Sequence, residues 1–148
     1  MSSTKHDWNT WENYLRVHER VLKDFASSIL SSNPTYQLRQ ITENYYTLEL
    51  NRLELLTIKG NSVFVKIEKD IHVKDGAKKK IAKLFNYSYH AWLKDPPRNL
   101  IRYCGPHLDH NKFHHRHDYT KSPMITTQVN KDNFPHVSDF LQEIIDTF

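Results

Sequence analysis

Histidines are concentrated in one short part of this chain. Of its 10 histidines, the following lie between residues 90 and 117: His90, His107, His110, His114, His115 and His117. An imidazole with an ordinary pKa of about 6.5 both takes up and releases a proton near neutral pH. It is also a common ligand of zinc, copper and iron. The cluster therefore favours either acid–base catalysis or metal binding.

A metal site in this cluster would use His110, His115 and His117, with Asp109 or Asp118 as an oxygen ligand. His115 and His117 are two residues apart, so they share one side of an extended chain. The helical zinc motif HExxH is not present, because no glutamate lies between His110 and His114. A divalent metal is therefore the cofactor of an alternative hypothesis, and the main hypothesis needs none.

Metal-free cleavage of RNA would use the same histidines as general base and general acid. We take His114 and His115 as the leading pair, with His107 and His117 assisting or orienting them. The negative charge of the phosphorane would be stabilised by Arg102 and Arg116, or by Tyr119. A third hypothesis is a non-catalytic loop that binds a protein or nucleic acid. Cys104, three residues before His107, ranks low as a nucleophile, since no sequence feature lowers its pKa.

The charge of the chain is concentrated in the same segment. Residues 74–117 contain ten lysines and arginines against three aspartates, a net charge of +7, whereas residues 1–73 sum to zero and residues 118–148 to −3. A basic segment with interleaved aromatic residues is typical of proteins that neutralise phosphates and stack bases. Arg102, Arg116, Lys79 and Lys80 are predicted phosphate ligands, and Tyr89 or Trp92 is predicted to stack a base. A solvated loop or helix face is the alternative interpretation of the lysine run.

The composition limits the classes to which the protein can belong. Its 148 residues, 38% of them hydrophobic, fit one globular domain over residues 1–148. No apolar run reaches the length of a membrane-spanning helix. One cysteine cannot form an internal disulfide, and the polar residues 1–5 lack the apolar segment of a secretory signal. These features predict a cytoplasmic protein with no membrane partner.

Hydrophobic periodicity predicts the elements that position the histidines. Apolar residues three and four apart, from Trp8 to Ile29, predict a helix over about 8–31. His18 in this stripe is predicted to be structural, and Trp8 and Trp11 to pack in the core, with a homodimer or antitoxin contact as their other use. Alternating patterns predict antiparallel strands over about 35–104. A polar, histidine-rich loop over 104–126 and a helix over about 135–147 follow. The fold class is therefore α+β, an antiparallel sheet flanked by an N-terminal and a C-terminal helix.

The order of several short motifs resembles that of the TumE family of toxins from bacterial type II toxin–antitoxin systems. The motifs are an aromatic strand at 87–92, Leu-Ile-Arg-Tyr at 100–103, Pro-His at 106–107 and Phe-His-His-Arg-His at 113–117. The resemblance covers roughly residues 46–148. The matching positions are Arg102, Pro106, His107, His114, His115 and His117. Cys104-Gly105 stands where the family has Asp-Asn, and Leu108 stands where a second histidine is usual.

The resemblance implies a growth-inhibiting toxin that is neutralised by a cognate antitoxin and that acts on RNA in the manner of small ribonuclease toxins. Together with the charge and the histidines, it predicts an endoribonuclease of the RNA interferase type. The alternatives are a metal-dependent nuclease or hydrolase using the same histidines, and a regulatory module that binds nucleic acid or protein without cleaving it.

Overall fold

A long antiparallel sheet with both helices on one side forms the framework of the protein. The computed structural model describes residues 8–106, 113–130 and 134–148. The helices are α1 (Trp11–Asp24), followed by a 3-10 turn over Ala26–Ser28, and α2 (Val137–Thr147). The strands are β1 (Asn9–Thr10), β2 (Gln37–Thr42), β3 (Tyr45–Leu56), β4 (Ser62–Asp75), β5 (Lys80–Leu93), β6 (Arg98–Cys104), β7 (His114–Asp118) and β8 (Ile125–Val129).

Strands β2 to β8 follow one another across the sheet in sequence order, and β1 pairs with the first residues of β5. Every strand pairing is antiparallel, which matches a chain of hairpins joined by short turns. The predicted α+β class is confirmed. Among the described residues, neither α1 nor α2 has the length and apolar character needed to cross a bilayer.

The first helix is shorter than predicted. It begins at Trp11 because the Thr10 hydroxyl accepts a hydrogen bond from the Asn13 backbone N–H at 3.2 Å and caps the helix. It ends at Asp24, and the chain then forms the 3-10 turn. Ile29, the last residue of the predicted stripe, forms an isolated bridge with Leu55 instead. The apolar periodicity therefore continued beyond the helix because these residues still face the core.

The predicted histidine-rich loop over 104–126 is wrong for residues 114–118 and 125–126, which are strands, whereas residues 119–124 between them form a turn. Residues 114–118 form β7, which pairs with β6, and residues 125–129 form β8, which pairs with β7. The sheet therefore continues to Val129 and does not end at residue 104. Backbone hydrogen bonds between neighbouring strands hold β7 in place, so it needs no continuous apolar face. Helix α2 starts two residues later than predicted, where His136 and Asp139 form a capping box.

The two faces of the sheet differ in what covers them. One side, the helix face, packs against α1 and α2 through a core that includes Leu50, Val65, Tyr89 and Phe140. The other side is called the second face. On β5, β6 and β7 it carries Ser88, His90, Trp92, Arg102, Cys104, His115 and His117.

Gly105 lies at the exit of β6, where its backbone N–H donates to the Tyr87 carbonyl at 3.0 Å. A Cβ atom at this position would collide with the Asn86 side-chain oxygen, which accepts a hydrogen bond from the Tyr87 backbone N–H. We expect Gly105→Ala to lower the free energy of unfolding by about 1–3 kcal/mol, because Asn86 must give up its position. Urea denaturation followed by tryptophan fluorescence measures this change.

A double-mutant cycle with Asn86→Ala identifies the cause of the loss. If the collision destabilises the protein, Gly105→Ala should cost little in the Asn86→Ala background. An equal cost in both backgrounds would contradict the explanation and place the strain elsewhere.

Candidate functional site

Strand β7 carries five consecutive polar residues whose side chains alternate between the two faces of the sheet. His115 and His117 project from the second face, where their rings lie 4.7 Å apart. His114 and Arg116 project from the helix face, where they contact Phe134 and α2. The structure therefore does not bring together His114 and His115, the predicted acid–base pair.

His114 is a packing residue of the helix face. Its Nδ1 lies 3.0 Å from the Tyr87 hydroxyl. Its ring stacks on Phe134, with centroids 4.6 Å apart. These contacts place it under the segment that leads into α2. A substrate that reaches His115 on the second face cannot contact His114 as well, because the sheet lies between the two side chains.

Arg116 is also on the helix face, and its predicted role as a phosphate ligand is corrected. Its Nε donates to the Tyr103 hydroxyl at 3.1 Å, and its guanidinium lies 3.6 Å from Glu143 of α2 and 3.8 Å from Asp118. Burial and Glu143, to which the hydroxyl donates, raise the pKa of Tyr103 to about 12. The charge of Arg116 is thus already paired, and the residue ties β7 to α2.

The two aromatic residues predicted to stack a base lie on opposite faces. Tyr89 is fully buried, 5.5 Å from the ring of Phe140. Its predicted contact with a base is wrong, because the helix side of the core encloses it. Trp92 is half-buried on the second face and stacks on Phe64 at 5.9 Å.

The remaining predicted residues lie away from this face or outside the described residues. Lys79 and Lys80 are exposed at the hairpin between β4 and β5. Ten residues of β5 separate Lys80 from His90, which corresponds to about 33 Å along a strand. The structure does not bring these lysines to the histidines. His107 and the alternative metal ligand His110 lie outside the described residues.

On the second face, Arg102 lies between two histidines. The register pairs Arg102 of β6 with His90 of β5 on one side and with His117 of β7 on the other. Lys66 pairs with His90 and continues this row onto β4. Side chains directly opposite each other on neighbouring strands have Cβ atoms about 5 Å apart. The row therefore places the Arg102 position between one histidine on each neighbouring strand, with the Arg102 Nε donating to the Ser88 hydroxyl at 3.4 Å.

A continuous series of rings, called the ring ribbon, crosses the same face. Its members are Phe64, Trp92, His90, Tyr119, His117 and His115. Successive centroids are 5.9, 5.2, 6.4, 5.9 and 4.7 Å apart. Arg52 extends it beyond Phe64, with its guanidinium 4.8 Å from that ring. The ribbon forms a surface on which planar groups can stack.

His90 is held in one tautomer and is kept neutral by its surroundings. Its Nε2 lies 3.0 Å from the Asn99 side-chain oxygen. Because that oxygen can only accept, Nε2 carries the proton and the lone pair of the neutral ring is on Nδ1. Burial lowers the pKa of His90; the Asn99 hydrogen bond raises it in part, and the charges of Arg102 and Lys66 each lower it by a smaller amount. His90 is therefore suited to accept a proton.

Cys104 is buried beside Arg102, on the strand position that pairs with His115. Burial raises the pKa of its thiol, although hydrogen bonds to Ser88 and Arg102 and the charge of Arg102 act in the opposite direction. A thiol with a raised pKa is a poor nucleophile at neutral pH, which agrees with its low rank in the sequence analysis.

Acidic residues occupy the part of the second face formed by β3 and β4. A cavity of about 260 Å³ lies there, lined by residues that include Glu49, Glu68, Asp70 and Arg102. Burial, Glu68 and Glu49 raise the pKa of Asp70. This negative area borders the row of Arg102 and the histidines, so a polyanion bound to the face would follow β5, β6 and β7.

Three residues of the second face, His90, Phe64 and Cys104, are not among those predicted for the main site. The signal for His90 was present, because Ser88, His90 and Trp92 alternate with the core residues Tyr87, Tyr89 and Ala91. The positions of Phe64 and Cys104 depend on pairing between distant strands, and no local pattern shows it. Comparison of the chain with family models, with curated proteins and with solved structures finds no match.

Proposed function

We propose that the protein binds single-stranded RNA on the second face of the sheet and cleaves it, as an endoribonuclease of the toxin type. The observation that carries this proposal is the position of Arg102 between His90 and His117, beside the ring ribbon. Sheet faces with exposed rings and nearby cations are a common platform for single-stranded RNA.

Binding would combine two kinds of contact. Bases would stack on the exposed parts of the ring ribbon, which include Trp92 and His90. Phosphates would lie near Arg102, with Arg52 as a further cation on the face. Stacking contributes about 1–3 kcal/mol per base and is tolerant of sequence. This combination favours RNA over a compact anion, because it offers an extended surface and not an enclosed pocket.

Cleavage by the 2′-hydroxyl needs a base, an acid and a group that stabilises negative charge on phosphorus. His90, with its lone pair on Nδ1, is the proposed base. His117, on the other side of Arg102, supplies the second imidazole. Arg102 would contact the non-bridging oxygens as their charge grows. The pair proposed here replaces His114 and His115, which the sheet separates.

The resemblance to TumE toxins supports two further parts of the proposal. The toxin would act in the cytoplasm, where its RNA substrate is found. A cognate antitoxin would neutralise it by covering the second face, and acidic or aromatic residues of that antitoxin would take the place of phosphates and bases.

Arg102 and Arg116 lie on opposite faces of the sheet, so their substitutions provide a matched test of the proposed site. We expect Arg102→Met to lower the rate of RNA cleavage about 10²–10³-fold, because the charge that stabilises the transition state is lost. Its RNA affinity should also depend less steeply on salt, by about one phosphate contact. Arg116→Met should cost about 1–3 kcal/mol of stability but leave cleavage by the folded protein unchanged. The rate of cleavage of labelled single-stranded RNA is measured with and without EDTA.

Two results would contradict the proposal. If the purified wild-type protein binds RNA but does not cleave it in any condition, the protein is a binding module. If Arg102→Met and Arg116→Met reduce cleavage equally, the second face is not the site. Cleavage that disappears with EDTA would instead support the metal-dependent nuclease, for which Cys104, His115 and His117 are candidate ligands among the described residues.

A further inference from the structure

Cys104, His115 and His117 form a cluster of potential metal ligands on the second face. The thiol sulfur and one nitrogen of each ring lie within 4.8 Å of one another. Cys104 and His115 are buried, and His117 is half-buried. The register explains the cluster, because Cys104 pairs directly with His115 and His117 is the next residue of β7 on the same face.

Both imidazoles are oriented by hydrogen bonds at their Nδ1 atoms. His115 Nδ1 lies 2.9 Å from the Phe113 carbonyl oxygen, which can only accept, so this nitrogen carries the proton. His117 Nδ1 lies 3.1 Å from the Thr126 hydroxyl. In the tautomer with the proton on Nδ1, the lone pair is on Nε2. Metal-binding histidines in proteins typically hold one ring nitrogen in this way and bind the metal through the other.

The donor set indicates which metals would bind. A thiolate and two imidazoles favour zinc or another thiophilic transition metal over magnesium and calcium, which prefer oxygen ligands. Zn–N bonds of about 2.0–2.1 Å and a Zn–S bond of about 2.3 Å require the ligand atoms to be roughly 3.5 Å apart. From separations of up to 4.8 Å, small side-chain rotations on β6 and β7 are sufficient to reach this distance.

We propose that Cys104, His115 and His117 bind one thiophilic divalent metal ion, with Zn²⁺ as the expected ion. Three protein ligands leave a fourth tetrahedral position, which is the arrangement of zinc sites that bind water or a substrate oxygen. This site differs from the set expected from the sequence, because the thiol of Cys104 takes the place of His110. Metal binding itself does not depend on the proposed ribonuclease activity. Only its effect on RNA cleavage rests on that function: a metal bound to His117 would remove this ring from the proposed acid–base pair, so Zn²⁺ would inhibit metal-free cleavage.

Cobalt is a suitable probe, because a thiolate bound to Co²⁺ gives a charge-transfer absorption band in the near ultraviolet. We expect the chelator-treated full-length protein to bind one Co²⁺ per chain with this band, and Zn²⁺ to displace it. Cys104→Ala should lose the band. His117→Ala should bind Co²⁺ at least tenfold more weakly, and Thr126→Val, which removes the hydroxyl partner of His117, should weaken binding about 10–100-fold.

His114→Ala is the matched control, since His114 is on the same strand but on the helix face. It should bind Co²⁺ as the wild type does. Circular dichroism verifies that each variant is folded, and Thr126→Val tests the site without removing a buried ligand. The proposal is overturned if folded wild-type protein gives no charge-transfer band, or if the band and affinity persist in both His117→Ala and Thr126→Val.

The titration contains no RNA, so its outcome is separate from that of the ribonuclease proposal. If Co²⁺ binds and RNA is not cleaved, the metal site stands and the ribonuclease proposal fails. If RNA is cleaved in EDTA and Co²⁺ does not bind, the ribonuclease proposal stands and the metal site fails.

Discussion

Lys69→Met should be more stable than the wild-type protein at pH 7 by about 2–3 kcal/mol. Lys69 is on β4 and is 2% exposed, and burial lowers its pKa to about 7. One pKa unit corresponds to about 1.4 kcal/mol, so the shift from 10.5 costs roughly 5 kcal/mol when the buried amine is protonated. Methionine has a similar length and no charge, so it removes this cost, but it also loses the hydrogen bond to His18 and the attraction of the Tyr14 and Tyr89 rings, together about 2–3 kcal/mol.

The surroundings of Lys69 explain why its charge is not stabilised. Its Nζ lies 2.7 Å from His18 Nε2, and the Nδ1 of that ring donates to the Tyr14 carbonyl at 2.8 Å. His18 Nε2 is therefore the hydrogen-bond partner of the amine and brings no negative charge to it. Nζ also lies over the rings of Tyr14 and Tyr89 at 5.7 Å, and this cation–π attraction is weaker than the cost of removing the charge from water. No carboxylate forms an ion pair with Lys69 among the described residues.

The pH dependence of stability gives a second, independent measurement. Between about pH 7 and 10.5 the unfolded chain keeps the proton of Lys69 and the folded protein does not, so the free energy of unfolding rises with pH by about 1.4 kcal/mol per unit. Below about pH 7 both states are protonated and the full cost remains. We expect a rise of about 2 kcal/mol from pH 7 to 8.5 in the wild type, and little or no rise in Lys69→Met.

The upper limit of this window is set by other buried groups. Burial raises the pKa of Cys104 and of the tyrosines near Lys69, and such groups lower stability at more alkaline pH. Lys66→Met is the control, because Lys66 is on the same strand but half-exposed and paired with Glu68. It should keep the wild-type slope. A wild-type stability that is flat over the window, or a slope that persists in Lys69→Met, would show that Lys69 is not buried as a neutral amine.

Local patterns in the sequence were sufficient for the fold class but not for the extent of the elements. Alternation identified the strands, and Gly60, whose φ is 86°, lies in the turn between β3 and β4. The alternation is interrupted between Leu50 and Leu53, yet both residues belong to a single β3, because a bulge between them keeps both in the core. A bulge of this kind breaks the alternation without ending the strand.

The candidate site was less accessible to prediction than the fold. The histidines of β7 stood out by their number, but which of them share a face depends on β7 being a strand, and its polar sequence has no apolar alternation. The position of Arg102 between His90 and His117 depends on two strand registers and on a bulge after Ala91. Such information is carried by pairing between distant residues. It is therefore not visible in a window of neighbouring ones.

His90→Ala should reduce the single-turnover rate of RNA cleavage about 10²–10⁴-fold, the usual effect of removing a general base. His90 is half-exposed and makes its hydrogen bond at the surface, so its loss should change stability little. Added imidazole should restore part of the rate, which a purely structural defect would not allow. The measurement is the decay of a labelled oligonucleotide with protein in excess, with folding verified by circular dichroism.

His114→Ala decides between the pair predicted from the sequence, His114 and His115, and the pair on the second face that contains His90. It removes the ring between Tyr87 and Phe134, so it should lower stability while leaving the rate of the folded protein within a few-fold of wild type. Asn99→Ala should change the pKa of His90 by removing a direct hydrogen bond to its ring. The Asn99 hydrogen bond raises the pKa of His90, so its loss should shift the acidic limb of the rate profile to lower pH. If His114→Ala abolishes cleavage and His90→Ala does not, catalysis takes place on the helix face, and the assignment of the second face as the active site is wrong.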